Sequence, residues 1–95
     1  MGESRLVFRV HAIRRMFERK ISVADVRKAV ETGEVIESYP GDTPYPSRLV
    51  LGWSGSRPVH VVVADNVAAG ETVVITAYRP DPALWNKSFR QRRKS

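Results

Sequence analysis

Beyond a short N-terminal lead-in, the spacing of apolar residues changes once along this chain, at Gly33, from a helical rhythm to an extended one. That single switch limits the folds open to it. Before Gly33, apolar residues recur three and four apart, at Ile13, Met16 and Phe17 and again at Val26, Ala29 and Val30, as on the buried stripe of a helix. After it, short runs of β-branched and aromatic residues are divided by Gly, Pro, Asn and Asp, which reads as strands and turns. Helices first and strands afterwards point to an α+β domain, with the helices segregated to one face of an antiparallel sheet. Ninety-five residues leave room for one domain and one modest core.

The boundaries follow from local chemistry. Arg5 to Val10 alternates in part and reads as a short first strand or an extended lead-in. Helix one is expected from about His11 to Lys20, with Ile13, Met16 and Phe17 available for burial. Helix two starts at Ser22, where Asp25 completes a capping box and Ile21 can staple onto Val26, and it stops at Gly33. Val35 to Tyr39 is the next expected strand, followed by a proline-rich loop over 40–46. Ser47 to Trp53 alternates, with Leu49, Leu51 and Trp53 on one side and Arg48, Val50 and Gly52 on the other. Pro58 to Ala64 is almost wholly apolar, as a central strand covered on both faces would be. Thr72 to Arg79 forms the last. The layout is β-α-α-β-β-β-β, two N-terminal helices on one face of an antiparallel sheet of about four strands. The globular part runs over about 5–86 and a basic tail over 87–95.

Charge is distributed unevenly. Residues 1–28 carry a net +5, residues 29–46 a net −4, residues 47–86 none, and residues 87–95 another +5, for a total of +6. Two basic regions separated by an acidic band favour a polyanionic partner, nucleic acid above all, or an acidic protein. A solvated basic face and tail is the plainer alternative. Cysteine is absent, so disulfides and thiolate metal sites are excluded, and neither a metal nor a cofactor is expected. No apolar run is long enough for a membrane span, and the N-terminus has no signal-like apolar stretch. The expectation is a cytoplasmic protein with no membrane partner.

The residues with chemical potential form a short set. His11, Arg15 and Arg19 stand at i, i+4 and i+8 on helix one, which aligns an imidazole with two guanidiniums along one face. His60 interrupts the central strand; a lone histidine there is more often a hydrogen-bonded packing residue than a catalyst. Thr76 and Tyr78 share a face of the last strand and Arg79 ends it. Tyr39 and Tyr45 flank the proline-rich loop, where they could stack on bases or cover a core edge. Metal-independent RNA cleavage needs one group to deprotonate the 2′-hydroxyl, one to protonate the leaving 5′-oxygen, and cations for the phosphorane. His11, His60 and Tyr78 can move protons; Arg15, Arg19 and Arg79 can supply charge. Arg90, Arg92 and Arg93 of the tail add phosphate-binding capacity.

The block H-A-I-R-R-M-F-E-R-K-I-S (11–22) resembles the H-A-x-x-R-M-x-E-R-x-I-S opening of the small prokaryotic DUF4258 proteins. E-V-I-E-S-Y-P (34–40), L-V-L-G-W (49–53), R-P-V-H-V-V-V-A (57–64) and V-I-T-A-Y-R-P-D-P-A-L-W (74–85) continue the resemblance in order, from about residue 8 to residue 93. Lys20 departs from it, standing where the family often has a glycine between the helices. DUF4258 proteins are similar in turn to the RelE/ParE-like and BrnT-like toxins. That similarity implies a RelE-like fold, a zinc-finger antitoxin as partner and mRNA cleavage without a metal. The positions the resemblance carries over are His11, Arg15 and Arg19 in helix one, His60 in the central strand, and Thr76 and Tyr78 in the last strand. With the charge reading added, His11, Arg15, His60 and Tyr78 are the expected catalytic residues, and Arg19, Thr76, Arg79, Arg90, Arg92 and Arg93 are expected to hold RNA. The expected function is a toxin-like endoribonuclease. The alternative is a non-catalytic nucleic-acid- or protein-binding module of the same fold, and in a purely structural reading the helix-one arginines serve packing.

Overall fold

A computed structural model describes residues 5–93. In chain order the elements are β1 (Arg5–Phe8), α1 (Val10–Glu18), α2 (Val23–Thr32), β2 (Glu34–Tyr39), β3 (Ser47–Ser54), β4 (Arg57–Asn66) and β5 (Glu71–Tyr78). The α+β class stands, but the sheet differs from the expected antiparallel array of about four strands. It has five strands in the order β1-β5-β4-β3-β2. β1 runs parallel to β5, with Arg5 opposite Glu71 and Phe8 opposite Val74, while every other pair is antiparallel. A four-residue strand that pairs with the far end of the chain has no adjoining turn to declare its partner. β4 is the central strand, as its apolar run implies.

The helical corner is built from two kinds of cap. At the end of α1 the N–H of Lys20 donates to the carbonyl of Phe17 at 3.2 Å and that of Ile21 to Met16 at 2.9 Å, the paired bonds of a Schellman motif. Lys20 itself takes φ +57°, the left-handed position that glycine fills without steric cost. α2 begins with the capping box read from sequence: the Asp25 N–H donates to Ser22 Oγ at 3.0 Å and the Ser22 N–H to the Asp25 carboxylate at 3.4 Å.

Gly33 ends α2 for a reason other than backbone handedness. Its φ is −79° and its ψ −178°, an extended conformation open to any residue. What demands glycine is space, because a Cβ there would lie 2.3 Å from the Ala29 carbonyl oxygen and 2.6 Å from that of Leu51. Gly52 serves the same purpose on β3, where a Cβ would fall 2.4 Å from the Ala29 Cβ. These two glycines let α2 lie directly on the sheet.

The core between helices and sheet joins Ala12, Met16, Ile21, Val26 and Ala29 to Val50, Val59, Val61, Val63, Val74 and Ala77. Each such valine or larger apolar side chain contributes about 1.5–3 kcal/mol by leaving water. Of the three apolar residues expected to be buried on α1, only Met16 is. Ile13 is 49 % exposed and Phe17 86 %, because α1 rests on the sheet along the narrow Ala12–Met16 line. The opposite sheet face has its own cover. Residues 80–93 fold back across it as a small hairpin, in which Asn86 donates to the Gln91 carbonyl at 2.9 Å and Arg93 to that of Leu84 at 2.8 Å. Trp85 is buried, Phe89 is partly so and Leu84 is half-exposed. The basic tail therefore lies against the domain as far as Arg93; Lys94 and Ser95 fall outside the described residues.

Candidate functional site

β4 alternates between the two faces, and the alternation separates the two histidines. Val59 and Val61 face the helices as part of the shared core, so His60 between them projects to the other side. Strand register then sets one row across that helix-free face: Glu34 opposite Leu51, Leu51 opposite His60, and His60 opposite Tyr78. Thr76 sits in the next row, opposite Val62.

His60 is 0 % exposed, and both its ring nitrogens are engaged. Nε2 lies 2.8 Å from the carbonyl oxygen of Phe89 and Nδ1 lies 3.2 Å from the Tyr78 hydroxyl. A carbonyl only accepts, so Nε2 carries the proton; in the neutral ring Nδ1 then accepts from the Tyr78 O–H. The Trp85 ring stands edge-on over the imidazole at 4.4 Å, and the Tyr78 ring at 5.3 Å. Burial pushes the His60 pKa below its ordinary value, against the opposing pull of the Phe89 carbonyl and the Glu37 carboxylate. Burial likewise raises Tyr78, with Arg92 lowering it and Glu37 raising it. On the same face the Tyr39 hydroxyl donates to Glu37 at 2.5 Å. That bond, together with burial and the nearby negative charge, lifts Tyr39 to about 12.

The tail arginines are tied into this cover. Arg90 bonds Glu34 at 2.8 Å, fastening the hairpin to the far edge of the sheet. The guanidinium of Arg92 lies 5.4 Å from the centre of the Trp85 ring, within cation–π range. Arg93 donates to the Pro82 carbonyl at 2.9 Å. Phe89 holds φ +60°, an uncommon conformation for a bulky residue, while its ring packs edge-on against Trp53 at 6.1 Å.

The helical residues lie across the sheet from this row. His11 and Arg15 are exposed on α1, and Arg15 reaches Glu18 at 3.3 Å. Arg19 does not extend the ridge outward, because it donates to the Ala77 carbonyl at 2.8 Å and pins the end of α1 to β5. Arg79 projects to the helix side. It donates to the Pro58 carbonyl at 3.4 Å, its Nε is buried with no partner among the described residues, and its charge helps to hold Asp25 below the usual carboxylate range. Burial of Asp25 works in the opposite direction, but its bonds with Ser22, the nearby Ser54 hydroxyl and Arg79 outweigh it.

The fold thus brings together His60, Tyr78 and the hairpin bearing Arg92, and keeps His11 and Arg15 apart from them. Glu37 and Trp85 belong to the same assembly and were not among the expected site residues. The alternation of Glu37 with Tyr39 on β2 was the available signal for the first; none in the local pattern marks Trp85 as the cover of His60.

Two helices on one face of a mixed five-stranded sheet, with a buried His60 and a half-buried Tyr78 beneath a C-terminal hairpin on the other, define a small α+β domain with a basic helical surface. The profile of the "Domain of unknown function (DUF4258)" family matches residues 8–79, and the chain belongs to that family. The match ends at Arg79, short of the hairpin that the sequence resemblance had also taken in. Comparison with curated proteins and with solved structures gave no match. Among the described residues, no helix is long and apolar enough to cross a membrane.

Proposed function

We propose that this protein is the toxin-like component of a prokaryotic toxin–antitoxin pair and that it engages RNA as a basic binding module. The observation that carries the RNA-binding part is the exposed cation ridge of α1. Arg9, Arg14 and Arg15 are exposed there beside His11, and only Arg15 has an ion-pair partner among the described residues. Unpaired guanidiniums on a rigid helix are suited to phosphate oxygens. The toxin part rests on the likeness of DUF4258 sequences to the RelE/ParE-like and BrnT-like toxins, with a zinc-finger antitoxin as the corresponding partner. Anisotropy titration of single-stranded RNA tests the binding. Affinity should fall with salt, and Arg14→Ala with Arg15→Ala should flatten that slope by about one to two phosphate contacts. Salt-independent binding, or no loss in the double variant, removes the reading.

Metal-independent endoribonuclease activity is the second reading, favoured by the Tyr78–His60 hydrogen bond. There, the Tyr78 oxygen would take the proton of the 2′-hydroxyl as its own proton passes to His60 Nδ1, and the same relay run in reverse would protonate the leaving 5′-oxygen. The chemistry requires the 84–93 hairpin to leave the face that it covers. His11, across the sheet, would act only in binding. Induced expression of wild type, His11→Ala and Tyr78→Phe, followed by growth and RNA integrity, tests it. Cleavage that disappears in Tyr78→Phe and persists in His11→Ala supports this site. Intact RNA with wild type, or cleavage indifferent to Tyr78, refutes it.

A further inference from the structure

α1 carries an exposed apolar flank that the RNA-binding proposal leaves without a role. Ala12 and Met16 form the buried line. His11 and Arg15 precede that line by one residue, and Ile13 and Phe17 follow it by one. At 3.6 residues per turn, Ile13 and Phe17 therefore lie about 200° around the helix from His11 and Arg15. Val10 extends that flank, giving an apolar row at i, i+3 and i+7. The exposures of Val10, Ile13 and Phe17 are 75 %, 49 % and 86 %. Single exposed apolar residues are ordinary on a monomer, but an aligned row on one helix is the pattern of a partner helix face.

The surroundings of the row say what kind of partner it fits. Arg14 lies between Val10 and Phe17 on the helix surface, and Arg9 and Lys20 flank the helix at its two ends, all exposed and none ion-paired among the described residues. A second copy related by a two-fold axis would set the same patch on itself and bring Arg14 toward its own image. Phosphate would find the arginines, but it gives Phe17 and Ile13 nothing to bury. We infer that the Val10–Ile13–Phe17 face of α1 docks an acidic amphipathic helical segment of another protein, whose apolar side covers the row and whose carboxylates meet Arg9, Arg14 and Lys20. This goes beyond the RNA-binding proposal and does not depend on it.

The test is selection from a displayed library of helical peptides on the full-length chain, with counter-selection on Ile13→Ser/Phe17→Ser. Both substituted side chains are solvent-facing, and unchanged circular dichroism of the double variant confirms its fold. Enriched peptides should combine an i, i+3/i+4, i+7 apolar stripe with flanking Asp and Glu. Synthetic copies should bind the double variant at least about tenfold more weakly in anisotropy, a usual effect of losing central apolar anchors. Peptides with the acids replaced by Lys should bind weakly, and RNA affinity should be the same for the double variant and wild type. Four results overturn the inference: no enriched acidic amphipathic sequence; equal affinity for the Lys-substituted peptides; equal binding by the double variant; or a wild-type dimer in light scattering that Ile13→Ser/Phe17→Ser dissociates.

Discussion

Replacing Tyr78 with Phe removes one oxygen and tests the arrangement on the helix-free face directly. The Nε2–H of His60 is committed to the Phe89 carbonyl, so the ring cannot switch tautomer to donate from Nδ1. Without Tyr78 the buried Nδ1 is left as an acceptor with no donor, which costs about 1–3 kcal/mol. Tyr78 is itself only half-buried, so water can reach part of the gap. The lower half of that range, about 1–2 kcal/mol, is therefore expected, or a fall in Tm of roughly 4–16 °C for a domain of this size. Urea unfolding at pH 8 should show the loss with an unchanged slope. Acid should widen it. A protonated His60 in the wild type can turn its Nδ1–H toward the Tyr78 oxygen; in Tyr78→Phe the same charged group has no acceptor. A variant within about 0.5 kcal/mol of wild type at both pH 8 and pH 5 would refute the reasoning.

Three further outcomes can be measured on the same apparatus. Because His60 is held below its ordinary value of 6.5, the folded state binds fewer protons than the unfolded one just under that pH. Stability is then fully present above 6.5 and is lost as pH falls through the folded-state value; His60→Gln should flatten wild-type stability between pH 5 and 8, and an unflattened curve would assign the dependence elsewhere. Lys20→Gly should raise stability by about 0.5–1 kcal/mol, the left-handed strain relieved less the added freedom of the unfolded chain, whereas Lys20→Ala should not. Gly52→Ala should cost about 1–3 kcal/mol by overpacking against Ala29, with Gly41→Ala as a neutral control because nothing lies within 4 Å of its added methyl.

Local rules read much of this fold correctly because local forces decide those parts. The Ser22–Asp25 box and the apolar run of the central β4 each depend on residues within a few positions of one another. β1 and the C-terminal hairpin were harder to read because their partners are distant in sequence: β1 pairs with β5, and Trp85 covers His60. The apolar flank of α1 misled for a physical reason. Helical periodicity identifies residues able to share a face, and only the contact with β5 shows that the helix uses Ala12 and Met16 and leaves Ile13 and Phe17 in water. At the site, spacing placed His11 near Arg15 and pairing placed His60 opposite Tyr78, but which sheet face each pair occupied depended on register.

That separation of faces makes the two histidines independent in a way that can be measured. Groups serving one proton-transfer step behave as a unit, so removing either costs nearly as much as removing both. Groups on opposite sides of a packed sheet, with no shared partner, add. His11 is exposed on α1 and His60 is enclosed by Phe89, Tyr78 and Trp85. The effects of His11→Ala and His60→Ala on RNA affinity, and separately on stability, should therefore sum in the double variant to within about 0.5 kcal/mol. His11→Ala should act on affinity with little change in stability, and His60→Ala the reverse. A coupling above about 1 kcal/mol in either measurement would mean that the hairpin and α1 communicate through the sheet, and would return the histidines to a common site.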